Sequence, residues 1–140
     1  MNAPFSISRR NLLKSTGFLA LSFAIPFDAA MAAEEVKLPG DLKNNPMLGA
    51  WFRIEADGKA TLLVGKVELG QGAVTAMKQV AADELGVHWD QLDVISGDTA
   101  QCPNEGTTAG SQSMPNGAVA VRQAAAEVRE ILYGLAADKL

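Results

Sequence analysis

Two short loops in this 140-residue sequence gather the groups that could hold a polar or anionic ligand. The first, Gly65-Lys66-Val67-Glu68-Leu69-Gly70-Gln71-Gly72-Ala73, puts a glycine pair where a strand gives way to a helix. Glycine lets backbone approach a ligand closely, and the first N–H groups of a helix have no partner inside it, so such a loop can seat an anion. On spacing alone, a tight strand-to-helix turn fits equally well. The third glycine of a dinucleotide-binding fingerprint would fall at Thr75, and no Gly-Lys-Ser/Thr ends the loop, so it is neither a Rossmann nor a Walker site. The second loop, Gly106-Thr107-Thr108-Ala109-Gly110-Ser111-Gln112-Ser113, also leads into a helix. Its hydroxyls and small residues present side-chain and backbone donors together, which suits a phosphate or a polar heterocycle. Ser113 followed by Pro115 also fits a helix start, but that explains one serine and not the whole run.

The other residues of reactive type carry less. Cys102 is the only cysteine, so this chain alone makes no internal disulfide, cysteine-rich zinc site or iron–sulfur cluster. It is expected as a free thiol or a minor packing residue. His88 stands alone beside Trp89 and is given no role. Trp51 and Trp89 are expected as core or hairpin anchors. Glu105 is expected as a surface charge on its loop.

Elements that could position the two loops follow from periodicity. Trp51–Glu55 and Ala60–Val64 are short runs of aromatic and branched residues around Asp57-Gly58, a hairpin signal because both turn residues tolerate positive φ. The second strand is expected to run on to Val67 or Glu68. Val74, Met77, Ala81 and Leu85 then recur at helical spacing, and Gly86 supplies a stop. Trp89 to Asp98 reads as a further strand. The loop from Gly97 to about Met114 is too long for a simple connector. A helix from about Asn116 to Ala137 closes the chain, with Val121, Ala125, Val128, Leu132 and Leu135 as its buried stripe. The fold class is therefore α+β, a β-β-α-β-loop-α two-layer unit.

The front of the chain reads as an address. Ser8-Arg9-Arg10-Asn11-Leu12-Leu13-Lys14 precedes an apolar stretch from Gly17 to Phe27, whose 11 residues fall well short of the roughly 20 that span a bilayer as a helix. Ala30-Met31-Ala32 offers a peptidase site after Ala32. This resembles a twin-arginine (Tat) signal, so residues 1–32 are expected to be removed on export to the periplasm. Residues 33–49, broken by Pro39, Gly40, Asn44, Asn45 and Pro46, read as a linker, and residues 50–140 as the body. The net charge is −4, and the first 32 residues contribute +2, leaving −6 on the remainder. An acidic body without a basic stripe argues against nucleic acid as a partner.

Taken together, Gly65 to Gly72, Ala81-Ala82-Asp83-Glu84-Leu85-Gly86-Val87, Gly97-Asp98-Thr99 and Thr108 to Ser113 resemble the large subunits of the xanthine dehydrogenase and aldehyde oxidoreductase family. The closer likeness is to the isoquinoline 1-oxidoreductase β-subunit type. The resemblance spans Ser8 to Leu140. It implies a molybdenum–molybdopterin cofactor, with the cytosine dinucleotide form among the options. Gly70, Gln71 and Gly72 would contact it, as would Ala109, Gly110, Ser111, Gln112 and Ser113. Leu69 replaces the family's usual methionine, a volume-conserving swap.

The resemblance also implies aldehyde oxidation or N-heterocycle hydroxylation with water as oxygen donor. Partners would be a [2Fe–2S] small subunit, the remainder of the large subunit, a cytochrome c acceptor and the Tat machinery. Family large subunits run to several hundred residues and place a catalytic glutamate near their C-terminal end. No residue here matches that motif, Glu68, Glu84 and Glu105 included, so no catalytic residue and no protein metal ligand is assigned. The expectation is part of a cofactor wall, inactive alone, with Leu140 cutting a helix. The rival expectations are a stand-alone exported anion-binding module without redox activity, and a truncated fragment without function.

Overall fold

A computed structural model of the chain describes residues 18–19 and 37–139. The twin arginines, the cleavage site after Ala32 and Leu140 lie outside the described residues. The strands are β1 (Phe18–Leu19), β2 (Phe52–Glu55), β3 (Ala60–Val64) and β4 (Leu92–Ser96), and the long helices are α1 (Ala73–Leu85) and α2 (Val119–Ala137). They form one sheet in the order β1-β2-β3-β4 with helices against it, the expected α+β arrangement. Among the described residues no helix is long and apolar enough to cross a membrane.

The hairpin forms where Asp57-Gly58 predicts it, with Arg53 opposite Thr61. Only Gly58 takes a positive φ, +89°, while Asp57 keeps an ordinary backbone and accepts from the N–H of Lys59. β1 is two residues long and pairs antiparallel along the outer edge of β2. β3 and β4 are parallel, with Leu62 opposite Val94. Parallel neighbours need a long crossover, and α1 supplies it. β3 is an inner strand of the sheet, and its Leu62, Leu63 and Val64 are all fully buried.

α1 buries Ala73, Met77, Ala81, Ala82 and Leu85, so Ala73 takes the place expected for the half-buried Val74. Gly86 ends it in the left-handed conformation at φ +70°. Its buried face packs on α2, whose Val121, Ala125 and Val128 are inward as expected. Leu132 is half-buried and Leu135 is exposed, so the expected stripe stops short of the helix end.

Three expectations about boundaries are corrected. β3 stops at Val64 because the next N–H, that of Gly65, turns away to the side chain of Glu105, just ahead of the second loop. β4 starts at Leu92, since Trp89–Gln91 forms a 3-10 turn capped by His88, whose Nδ1 accepts from Asp90 N. Residues 37–49 do more than link. Gly40–Lys43 and Leu48–Ala50 are 3-10 turns that bury Asp41, Leu42 and Leu48. The helix breakers in this segment are legible in sequence, whereas the role of the leucines between them depends on the core they meet. Of the tryptophans, Trp51 is a fully buried anchor with its indole N–H on Asn45 O at 2.8 Å. Trp89 is instead 40% exposed, with the Lys78 ammonium 4.1 Å above its ring.

Candidate functional site

The two loops picked out by composition face each other. Leu69, Gln71, Gly72 and Ala73 from the first, with Ala76 of α1, line one side of an open cleft of about 690 Å³. Thr108, Ala109, Gly110, Ser111, Ser113 and Met114 line the other. Of the eight expected contact residues, six are brought together there. Gly70 and Gln112 are exposed and are not among its lining residues. Gln112 braces its own loop, donating to Gly110 O at 3.2 Å and accepting from Asn116 at 2.9 Å. Ser113–Ala118 is a π-helical turn that joins the loop to α2, so the α-helix proper begins at Val119. A smaller cavity of about 330 Å³ lies between Gly97–Thr99 and Cys102–Gly106, and it includes none of the expected contact residues.

The first loop holds its shape through Glu68. Its Oε1 accepts from the N–H groups of Gly70 at 2.9 Å and Gly72 at 2.7 Å, and its Oε2 accepts from Val74 at 3.1 Å. Gly70 and Gly72 take φ of +95° and +76°, which side-chain-bearing residues rarely adopt. The anion seat at the start of α1 is therefore filled by the chain's own carboxylate. Hydrogen bonds from Gly72 and Val74 lead in holding the Glu68 carboxyl below the usual range. Gln71 folds back, its amide donating to Val67 O at 3.1 Å and accepting from Leu69 N at 2.6 Å. This leaves Leu69, 73% exposed, as an apolar wall of the cleft.

The second loop carries its own conformational signature. Gly106 and Gly110 take positive φ, and so does Ser111 at +56°, the one non-glycine to do so among the described residues. A left-handed serine costs about 1 kcal/mol, and such strain gathers where backbone is pre-shaped for a ligand.

Between the roots of the two loops lies a buried charged cluster that the sequence did not disclose, and its Glu105 also borders the smaller cavity. Asp41, Lys66 and Glu105 are 7%, 2% and 5% exposed. Glu105 is thus not the expected surface charge: its Oε2 accepts from Gly65 N at 2.5 Å. The Lys66 ammonium donates to Glu105 O and to Thr107 O, the latter at 3.4 Å, and lies 3.9 Å from Asp41 Oδ2. Glycine makes the room. A Cβ on Gly117 would stand 2.6 Å from Glu105 Oε1, and one on Gly65 would run into Pro103 O. Asp41 Oδ2 and Glu105 Oε1 are buried without hydrogen-bond partners. Burial, aided by the Asp41 charge, pushes the Glu105 carboxyl up.

Comparison with known proteins decides the family. The model of the molybdopterin cofactor-binding domain matches residues 17–140. The chain belongs to that family. It is 33% identical over 133 residues to one of the subunits of nicotinate dehydrogenase from Pseudomonas putida, covering 95% of this chain and 11% of the relative. It is 35% identical over 91 residues to the β-subunit of isoquinoline 1-oxidoreductase from Brevundimonas diminuta, covering 63% of this chain and 11% of the relative. A third relative, the carbon monoxide dehydrogenase large chain of Hydrogenophaga pseudoflava, is 34% identical over 89 residues, or 64% of this chain and 11% of that one. The chain thus spans about a tenth of the length of these relatives. The likeness to xanthine dehydrogenase-type large subunits read from the loop motifs is borne out, and with it molybdenum–molybdopterin as the family's cofactor. These relatives are named as subunits or large chains, so they work alongside other chains.

The donor set suits that cofactor. Molybdopterin is a polar heterocycle with a phosphate, and the second-loop wall sets the Ser111 and Ser113 side chains beside pre-shaped backbone. The cleft's volume falls within the roughly 300–1,000 Å³ usual for ligand pockets.

Proposed function

We propose that this segment forms part of the molybdopterin wall of a molybdenum hydroxylase large subunit. The complete enzyme would oxidise an aldehyde or hydroxylate an N-heterocycle with water as oxygen donor. The observation that carries this reading is the convergence of Leu69–Ala73 and Thr108–Met114 on one cleft in a chain of this family. Bound there, the cofactor supplies the redox chemistry, while the protein binds and orients it. Gly70, Gln71 and Gly72 shape one side, with the Gln71 amide turning outward from its contacts with Val67 and Leu69 to meet the ligand. Ala109, Gly110, Ser111 and Ser113 offer backbone donors and hydroxyls from the other side, and Gln112 holds that loop in form. Nicotinate and isoquinoline, in the names of two relatives, favour an N-heterocycle as the substrate class.

In this proposal the segment is inactive alone, because it brings a wall and no catalytic base. Electrons leave through a [2Fe–2S] small subunit towards an acceptor such as cytochrome c, and the cofactor is taken in its cytosine dinucleotide form. Arg9 and Arg10 direct export of the folded protein to the periplasm by the Tat route. The rival reading, a stand-alone anion-binding module, is disfavoured because Glu68 already fills the seat at the start of α1.

The test is molybdenum content, measured by elemental analysis after expression in a host that makes molybdopterin. The chain ending at Leu140 should hold essentially none, and the longer subunit carrying the same segment should hold a stoichiometric amount. Stoichiometric metal on the short chain would overturn the partial-wall reading. Export that persists after Arg9→Lys and Arg10→Lys together would overturn the Tat assignment.

A further inference from the structure

Three consecutive residues that follow β3, Gly65 to Val67, reach across to Glu105 and to the start of the second loop. Gly65 N–H donates to the Glu105 side chain at 2.5 Å. The Lys66 ammonium donates to the carbonyls of Glu105 and Thr107, and Val67 N–H donates to Thr108 Oγ1 at 2.9 Å. These rungs join two segments about forty positions apart in sequence and end where Ala109–Ser113 begins. The central rung is the buried one. Enclosing an ammonium is unfavourable unless carbonyls and a counter-charge replace its water. The carbonyls of Glu105 and Thr107 do so here, with Asp41 of the Gly40–Lys43 turn behind them. An apolar side chain of the same length would fill the space and hold none of these groups.

We propose that Lys66 is a positioning residue: by gripping the backbone of Glu105 and Thr107 it fixes the second loop against the first and sets the width of the cleft. Its own contacts lie behind the lining, so it acts through the loops and touches no ligand. The inference rests on the cleft being the cofactor site, but the clasp exists in the protein without cofactor and can be tested there.

The experiment is hydrogen–deuterium exchange on the full chain, without cofactor, for wild type and Lys66→Met. Loss of the clasp should speed exchange across residues 106–113 on the order of tenfold, while amides in the buried halves of α1 and α2 keep their wild-type protection. A role in stability alone would instead raise exchange everywhere in proportion. Should Lys66→Met not fold, the double variant Asp41→Asn/Lys66→Met removes the ammonium together with its counter-charge, and the same local acceleration is expected. A folded variant whose 106–113 segment exchanges at the wild-type rate overturns the proposal. Molybdenum content of the longer subunit carrying Lys66→Met then separates the two readings. Faster exchange with reduced metal supports both, while faster exchange with unchanged metal supports the clasp and counts against the cleft as cofactor site.

Discussion

The carboxylate of Glu68 accepts a 2.7 Å hydrogen bond from the backbone N–H of Gly72, at the point where the first loop becomes α1. The same side chain takes the N–H groups of Gly70 and Val74, so one residue holds a turn that contains two left-handed glycines. Because these bonds favour the charged form, the folded carboxyl titrates below its unfolded value. The contribution is present above the ordinary glutamate value of about 4.3 and is lost as pH falls through the lower folded value. The protection factors of the Gly70, Gly72 and Val74 amides, taken against intrinsic exchange at each pH, should therefore fall in acid, and in Glu68→Ala they should be low at neutral pH as well. Unchanged protection in Glu68→Ala would show that the loop is held by something else.

Glu105 has the opposite sign. Its folded carboxyl titrates above the unfolded one because burial and Asp41 both disfavour its charge. Stability is full below the ordinary value of about 4.3 and declines as pH rises through the raised folded value. Urea midpoints measured across that range should fall with rising pH in wild type. Glu105→Gln keeps an oxygen for the Gly65 N–H and cannot ionise, so its midpoint should be flatter over the same range. Equal slopes for the two proteins would mean that Glu105 is not the group responsible.

Two glycine substitutions should move stability in opposite directions. On Gly117 a methyl would meet Glu105 Oε1 at 2.6 Å and Met77 Cε at 2.7 Å in a closed core, so Gly117→Ala should cost about 1–3 kcal/mol. Gly134 lies inside α2 with nothing within 4 Å of such a methyl, so Gly134→Ala should stabilise by about 0.5–1 kcal/mol. Chemical denaturation reads both.

Ser111 links strain to binding. Glycine has no left-handed penalty, so Ser111→Gly should leave the protein as stable or up to about 1 kcal/mol more stable. The same change deletes a hydroxyl from the cleft wall, and pterin retention in the longer subunit should fall. A variant that is less stable yet retains cofactor fully would show that Ser111 serves folding instead.

Much of this organisation is legible in the sequence, because local rules write it. Asp57-Gly58 announces the hairpin, Met77, Ala81 and Leu85 the buried face of α1, and Gly86 its end. The two donor-rich loops also stand out by composition, and the fold brings them to one cleft. What stays hidden depends on contacts between distant residues. Lys66 and Glu105 each look like ordinary charges beside a glycine, and only their meeting under Gly117 explains their burial. Glu68 is inconspicuous for a related reason: the sequence shows free helix amides after Gly72, but not that a carboxylate two to six residues earlier turns back to fill them. Leu42 and Leu48 are obscured by the prolines, glycine and asparagines around them. β3 and β4 read as strands, but their parallel pairing is a property of the crossover and not of either run.

The most direct test of the central claim, that these two loops hold molybdopterin, is pterin and molybdenum content per polypeptide in the assembled large subunit carrying Gln71→Ala and Ser111→Ala together. The two positions lie on opposite walls of the cleft and outside the buried core. The double variant should fold and its cofactor content should fall by about tenfold or more. A folded double variant with wild-type pterin and molybdenum would contradict the claim.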